Sequence, residues 1–135
     1  MSWFDGLRRN RAELRVDATD PDLRPFAVSL APIHAVTWAR GVIAGWPRWT
    51  VVAAYEDRGM IHATHTTRLW RFTDDVHLAF EPDSRGSLVS ARSQSRVGKG
   101  DLGQNARNLK ELSRRLHRAD SDRQARMASG AAARG

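Results

Sequence analysis

Between Asp75 and Glu81 the chain alternates strictly, with Val76, Leu78 and Phe80 on one parity and Asp75, His77, Ala79 and Glu81 on the other. A period of two belongs to a strand with one buried face. After Pro82-Asp83-Ser84-Arg85 the run Gly86 to Arg96 repeats the pattern, with Val89 and Ala91 apolar and Arg92, Gln94 and Arg96 opposite. Two such runs pair as an antiparallel hairpin whose apolar sets share a face, because a one-residue slip would turn every side chain over. A four-residue turn predicts Val76 opposite Ala91, and Asp75 opposite Arg92 on the face away from the helices.

The flanking sequence supplies the partners this hairpin needs. Trp49–Tyr55 and Met60–Thr67 are strand-like runs around the turn Glu56-Asp57-Arg58-Gly59. Leu69-Trp70-Arg71-Phe72-Thr73 suits a strand end or a loop. Residues 32–45 predict a buried helix, started by Pro32, carrying Ala35, Trp38, Val42 and Trp46 at helical spacing, and ended by Gly45 and Pro47. A second helix starts near Asp101, with Gln104 completing a capping-box pattern. Its inward stripe is Leu102, Asn105, Leu109, Leu112 and Leu116. The order helix, four strands, helix predicts an α+β fold, an antiparallel sheet of about four strands with an N-terminal-side helix and a C-terminal helix packed on one face. Residues 1–30 read as an amphipathic segment and linker, with Trp3, Phe4, Leu7 and Leu14 sharing a helical face over residues 2–15. Residues 31–118 read as the domain and 119–135 as a disordered basic tail.

Composition narrows the function classes. There is no cysteine, which excludes disulfides and thiolate chemistry. No apolar run is long enough to span a bilayer. The start, Met1-Ser2-Trp3-Phe4-Asp5-Gly6, lacks the pattern of a signal peptide, so the cytoplasm is the expected compartment. The net charge of +7 is unevenly placed: residues 1–90 cancel, so the excess lies in the stretch from residue 91 onward. Such a field can steer small anions or acidic lipid, and peripheral membrane contact is compatible with it. Nucleic acid is the less favoured partner, because the bias toward arginine and alanine is a general one.

The most polar stretch is Ala91 to Asn105, which reads as a strand end, a glycine-rich turn and a helix start. It contains Arg92, Ser93, Ser95, Arg96, Gly98, Lys99, Asp101 and Asn105. Asn105 is a polar residue on the helix's apolar face and needs a hydrogen-bonding partner there. Together with Phe72, Asp74-Asp75-Val76 and Gly103, this string resembles the family known as domain of unknown function 1499. Trp38, Pro47-Arg48 and Ile61-His62-Ala63 extend the resemblance over roughly residues 32–117. It implies a shared fold and a shared polar cluster, and no activity or cofactor.

Of three uses of that cluster the first, in a non-enzymatic domain, is the expected one, and the other two are alternatives in that order. In the first it is structural: Asp74 or Asp75 pairs with Arg92 or Arg96, Asp101 caps the helix, and Asn105 ties the corner to the sheet. In the second, the helix start between Gly98 and Asn105, with Arg96 and Lys99, holds a small anion or a lipid headgroup. In the third, Asp75 and His77 on one strand face serve an enzyme, with Ser93 or Ser95 as nucleophile. No nucleophile elbow and no established metal-ligand spacing supports the third. His62 and His65 should lie on opposite faces of their strand. Trp70, between Arg68 and Arg71, is either packing or a contact surface for a partner or membrane, a choice its exposure decides.

Overall fold

A computed structural model describes residues 11–96 and 102–134. In order, the elements are β1 (Arg11–Glu13), a 3-10 turn (Pro21–Leu23), β2 (Phe26–Val28), α1 (Pro32–Ala44), β3 (Trp49–Tyr55), β4 (Met60–Thr66), β5 (Thr73–Asp83), β6 (Gly86–Ser95) and α2 (Leu102–Arg134). The fold is α+β. Its antiparallel sheet runs β1-β6-β5-β4-β3, with β2 also on β6. The sheet has six strands rather than about four, and the first helix lies mid-chain rather than leading the domain. The extra strands come from the stretch expected to be an amphipathic segment and linker. Residues 11–13 are a strand instead of the end of a helix, and Leu14 is buried in the core. Residues 2–10 of that expected helix lie outside the described residues.

β1 and β2 share one edge of the sheet, against Arg92–Gln94 and Ser87–Val89 of β6. Each is three residues long, too short to show a period of two in sequence. What admits β2 is Gly86, at φ 134°. A Cβ there would lie 2.5 Å from the Val28 carbonyl oxygen and 2.6 Å from the Leu30 nitrogen, so only glycine allows that approach.

The parity of the β5–β6 hairpin holds, but its register differs by two residues. Val76 faces Ser93, Leu78 faces Ala91, and Asp75 faces Gln94 rather than Arg92. The turn is Ser84-Arg85 alone, and Asp83 pairs with Gly86. Asp83 fixes it by accepting from the Arg85 backbone N–H at 2.9 Å and from its guanidinium at 2.8 Å. Pro82 is therefore a strand residue. The Phe80 N–H points toward β4 and reaches the Gly59 carbonyl. Pro82, two residues on, faces the same side, where β4 has already ended, so its missing N–H breaks no ladder.

The inward face carries Ile61, Ala63, Val76, Leu78, Phe80, Val89 and Ala91. They pack with Ala35, Val36, Ala39 and Ile43 of α1 and with Leu109, Leu112 and Leu116 of α2 in one core. α1 is less buried than its composition predicts, since Ile33 is 55% exposed and Trp38 is only partly covered. α2 does not stop at His117: the expected tail continues as helix to Arg134. Asp120 anchors this continuation, and it is buried although it follows the last apolar position of the stripe. It accepts from the Ser29 backbone and hydroxyl, from Arg123 at 2.8 Å and from Gln124 at 3.0 Å. This polar clamp holds the helix to the loop between β2 and α1. No described helix is long and apolar enough to cross a membrane.

Candidate functional site

At the end of the sheet where α2 begins, the inward rows change from apolar to polar. His65 of β4, Asp74 of β5 and Ser95 of β6 form one row, and Ser93 lies in the next. α2 lays Asn105 and Asn108 on them, three residues apart and hence on one helix face. Asp74, Ser93, Asn105 and Asn108 are each no more than 1% exposed. The Ser93 hydroxyl donates to Asn105 Oδ1 at 2.7 Å, and Asn105 Nδ2 donates to Ser95 at 3.0 Å. Asn108 Nδ2 donates to Asp74 at 2.8 Å and to Ser93 at 3.1 Å, while its Oδ1 accepts from Gln104 at 2.7 Å. Asp74 is thus held by the Asn108 amide, with no ion pair to a cation among the described residues.

The predicted residues therefore divide into two groups. Asp74, Ser93, Ser95 and Asn105 meet beneath α2. Asp75, Arg92 and Arg96 lie on the other, open face. There Arg96 grips Asp75 in a two-point contact at 3.0 and 3.1 Å, and His62 Nε2 meets the same carboxylate at 2.7 Å. Arg96 first, and His62 with it, hold the Asp75 carboxyl below its usual range against the opposing effect of burial. His77 is not the partner of Asp75: its ring stacks on His62 at 4.4 Å, and Arg92 faces it across the strands. Burial, His62 and Arg92 all push the His77 ring toward its neutral form. Gly98, Lys99 and Asp101 lie outside the described residues, as does the expected cap on α2. Among the described residues no group of three histidines or carboxylates is placed to hold a metal.

Asn108 was not among the predicted residues, although its spacing from Asn105 carried the signal. Also missed was a recess of about 220 Å³ beside the buried cluster, lined by Arg48, His65, Thr67, Arg68, Gln104, Arg107 and Glu111. Glu111 is already engaged. It accepts from Trp49 Nε1 at 3.1 Å, pairs with Arg115 at 3.0 Å and has His65 Nε2 at 3.8 Å. His65 is 4% exposed and its Nδ1 has no partner among the described residues. Burial lowers its pKa, against the opposing pull of Glu111 and Asp74 and with the help of Arg48. Arg48 and Arg68 have no carboxylate partner among the described residues. Arg48 also sits at φ 68° and Arg71, in the adjoining loop, at φ 54°; these are the non-glycine residues at positive φ among those described.

The family model for Protein of unknown function (DUF1499) matches residues 8–116. The chain belongs to this family. The match begins ahead of β1, so the DUF1499 region takes in the short edge strands as well as the sheet and the apolar stripe of α2. No curated protein and no solved structure matches the chain.

Proposed function

We propose that this DUF1499 domain is a non-catalytic anion-binding module, and that its site is the recess lined by Arg48, Thr67, Arg68, Gln104 and Arg107 together with His65 and Glu111, the Glu111 carboxylate being taken up by Arg115 and Trp49. The observation that carries the reading is the pair Arg48 and Arg68, without carboxylate partners among the described residues, on one recess at the first turns of α2. Guanidinium forks match phosphate and carboxylate oxygens in two-point contacts. Thr67 and Gln104 add neutral donors. The left-handed backbone of Arg48 supports the same reading, because strain of this kind concentrates where a side chain must be aimed.

The buried cluster is then the scaffold of the site. Asp74, Ser93, Asn105 and Asn108 fix the start of α2 against β5 and β6, and so fix Gln104 and Arg107 at the rim. A larger groove of about 360 Å³ along α2 is less suited to an anion. Lys110 is paired with Asp20 at 2.8 Å, Arg114 with Asp22 at 2.7 Å and Arg115 with Glu111 at 3.0 Å.

Calorimetric titration of inorganic phosphate at constant ionic strength tests the proposal. Wild type should give a saturable heat, absent with chloride, and Arg48→Gly with Arg68→Ala should abolish it. Equal heats from wild type and the double variant would place any binding elsewhere.

A further inference from the structure

The loop joining β4 to β5 is apolar where a surface loop is ordinarily polar. Leu69 is 79% exposed, Trp70 73% and Phe72 45%. The loop is also built to stay in this form. The Thr67 N–H donates to the Phe72 carbonyl at 2.8 Å, and the Phe72 N–H donates to the Thr67 hydroxyl at 2.8 Å. Closing the loop from both ends, with Arg71 left-handed at φ 54°, keeps the three side chains from folding back onto the sheet. The Thr66 N–H donates to the Arg48 carbonyl at 2.9 Å, which ties the basic recess to the base of the loop.

We propose that this loop docks the protein on an anionic bilayer, with Leu69, Trp70 and Phe72 entering the interface and Arg48, Arg68 and Arg71 against the headgroup phosphates. This rests on the reading of the recess as an anion site and names the source of the anion as lipid. Charge and composition decide the occupant. Between Thr66 and Thr73 the chain contains two arginines and no acidic residue, which complements an anionic surface and not a protein face of mixed sign. Tryptophan beside basic side chains suits the headgroup level. Three side chains on one loop tip cover much less than the roughly 800 Å² per partner of a stable protein interface. They are enough for an interfacial anchor that works together with electrostatic attraction.

The test is co-sedimentation of the full chain with vesicles of phosphatidylcholine, with and without phosphatidylglycerol, alongside the phosphate titration and sedimentation velocity without lipid. Wild type should bind only the vesicles containing phosphatidylglycerol, and should release them as salt rises. Leu69→Ser with Trp70→Ser should lower vesicle affinity by about tenfold or more, while the heat of phosphate binding stays as in wild type. Arg68→Ala should cost about fivefold in vesicle affinity. Vesicle binding unchanged by the double serine variant overturns the proposal. So does a wild type that binds phosphate but no vesicles, which leaves the anion site standing. Vesicle binding through Trp70 with no phosphate binding supports docking and overturns the recess as its anion site. A dimer that the double serine variant makes monomeric would show that a second copy covers the loop, and would also overturn the proposal.

Discussion

At the residue scale, two similar polar contacts to aspartates should differ widely in their effect on stability. Asn108 is buried and its amide serves both Asp74 and Ser93. Asn108→Ala strands a buried carboxylate, so urea unfolding should show a loss of about 3 kcal/mol. Arg96 also binds an aspartate at two points, but its side chain is 53% exposed. Arg96→Ala should therefore leave the urea midpoint nearly unchanged, since Asp75 keeps His62 and solvent. His65 gives a pH signature. Burial holds it toward the neutral form in the fold, while the unfolded chain takes up a proton near 6.5. Its contribution to stability is thus fully present above that value and is lost as pH falls through it toward the lower folded-state value. Urea midpoints should fall between about pH 7.5 and about pH 5.5, and His65→Gln should flatten that slope. His77, which burial pushes in the same direction, adds to that slope. The sequence alone did not separate Asp74 from Asp75, yet the alternation contains the answer. Asp74 shares the parity of Val76 and goes inward, whereas Asp75 shares that of His77 and goes out.

At the element scale, alternation made β5 and β6 legible and helical spacing did the same for α1 and the first turns of α2, because each buries one face along most of its length. Three things were hidden for physical reasons. β1 and β2 are too short for periodicity and are admitted by Gly86, whose role appears only when Val28 is beside it. Gly86→Ala should therefore release that edge, with faster amide exchange along β2 and little change in α1. The hairpin register was hidden by Pro82, which resembles a turn residue but stands past the end of β4. The second half of α2 was hidden because its anchor is a polar clamp and not an apolar stripe. Asp120→Ala removes the acceptor shared by Ser29, Arg123 and Gln124. With Asp120 5% exposed and Arg123 losing its carboxylate but keeping its bonds to Ser29, chemical denaturation should register a loss of about 1–3 kcal/mol.

At the scale of the whole molecule, the core grades along the sheet from aliphatic packing to a polar end, and the basic recess and apolar loop lie outside that end. Fold and site can thus be altered separately. The sequence pointed to the polar run, but it could not show that Arg48, Thr67 and Arg68 come to the same place, because they meet only when β3 and β4 pair and α2 crosses them. Arg48→Gly relieves a left-handed backbone, so it should keep full stability or gain up to about 1 kcal/mol, at the cost of a cation in the recess. The most direct measurement is the melting temperature of wild type, Arg48→Gly with Arg68→Ala, and Asn108→Ala, each in phosphate and in chloride of matched ionic strength. Wild type should melt higher in phosphate. The arginine variant should melt like wild type in chloride and gain nothing from phosphate, whereas Asn108→Ala should melt lower in both and keep most of the phosphate increment. An arginine variant with the full phosphate increment would contradict the assignment of the recess as the anion site and of the buried cluster as its scaffold.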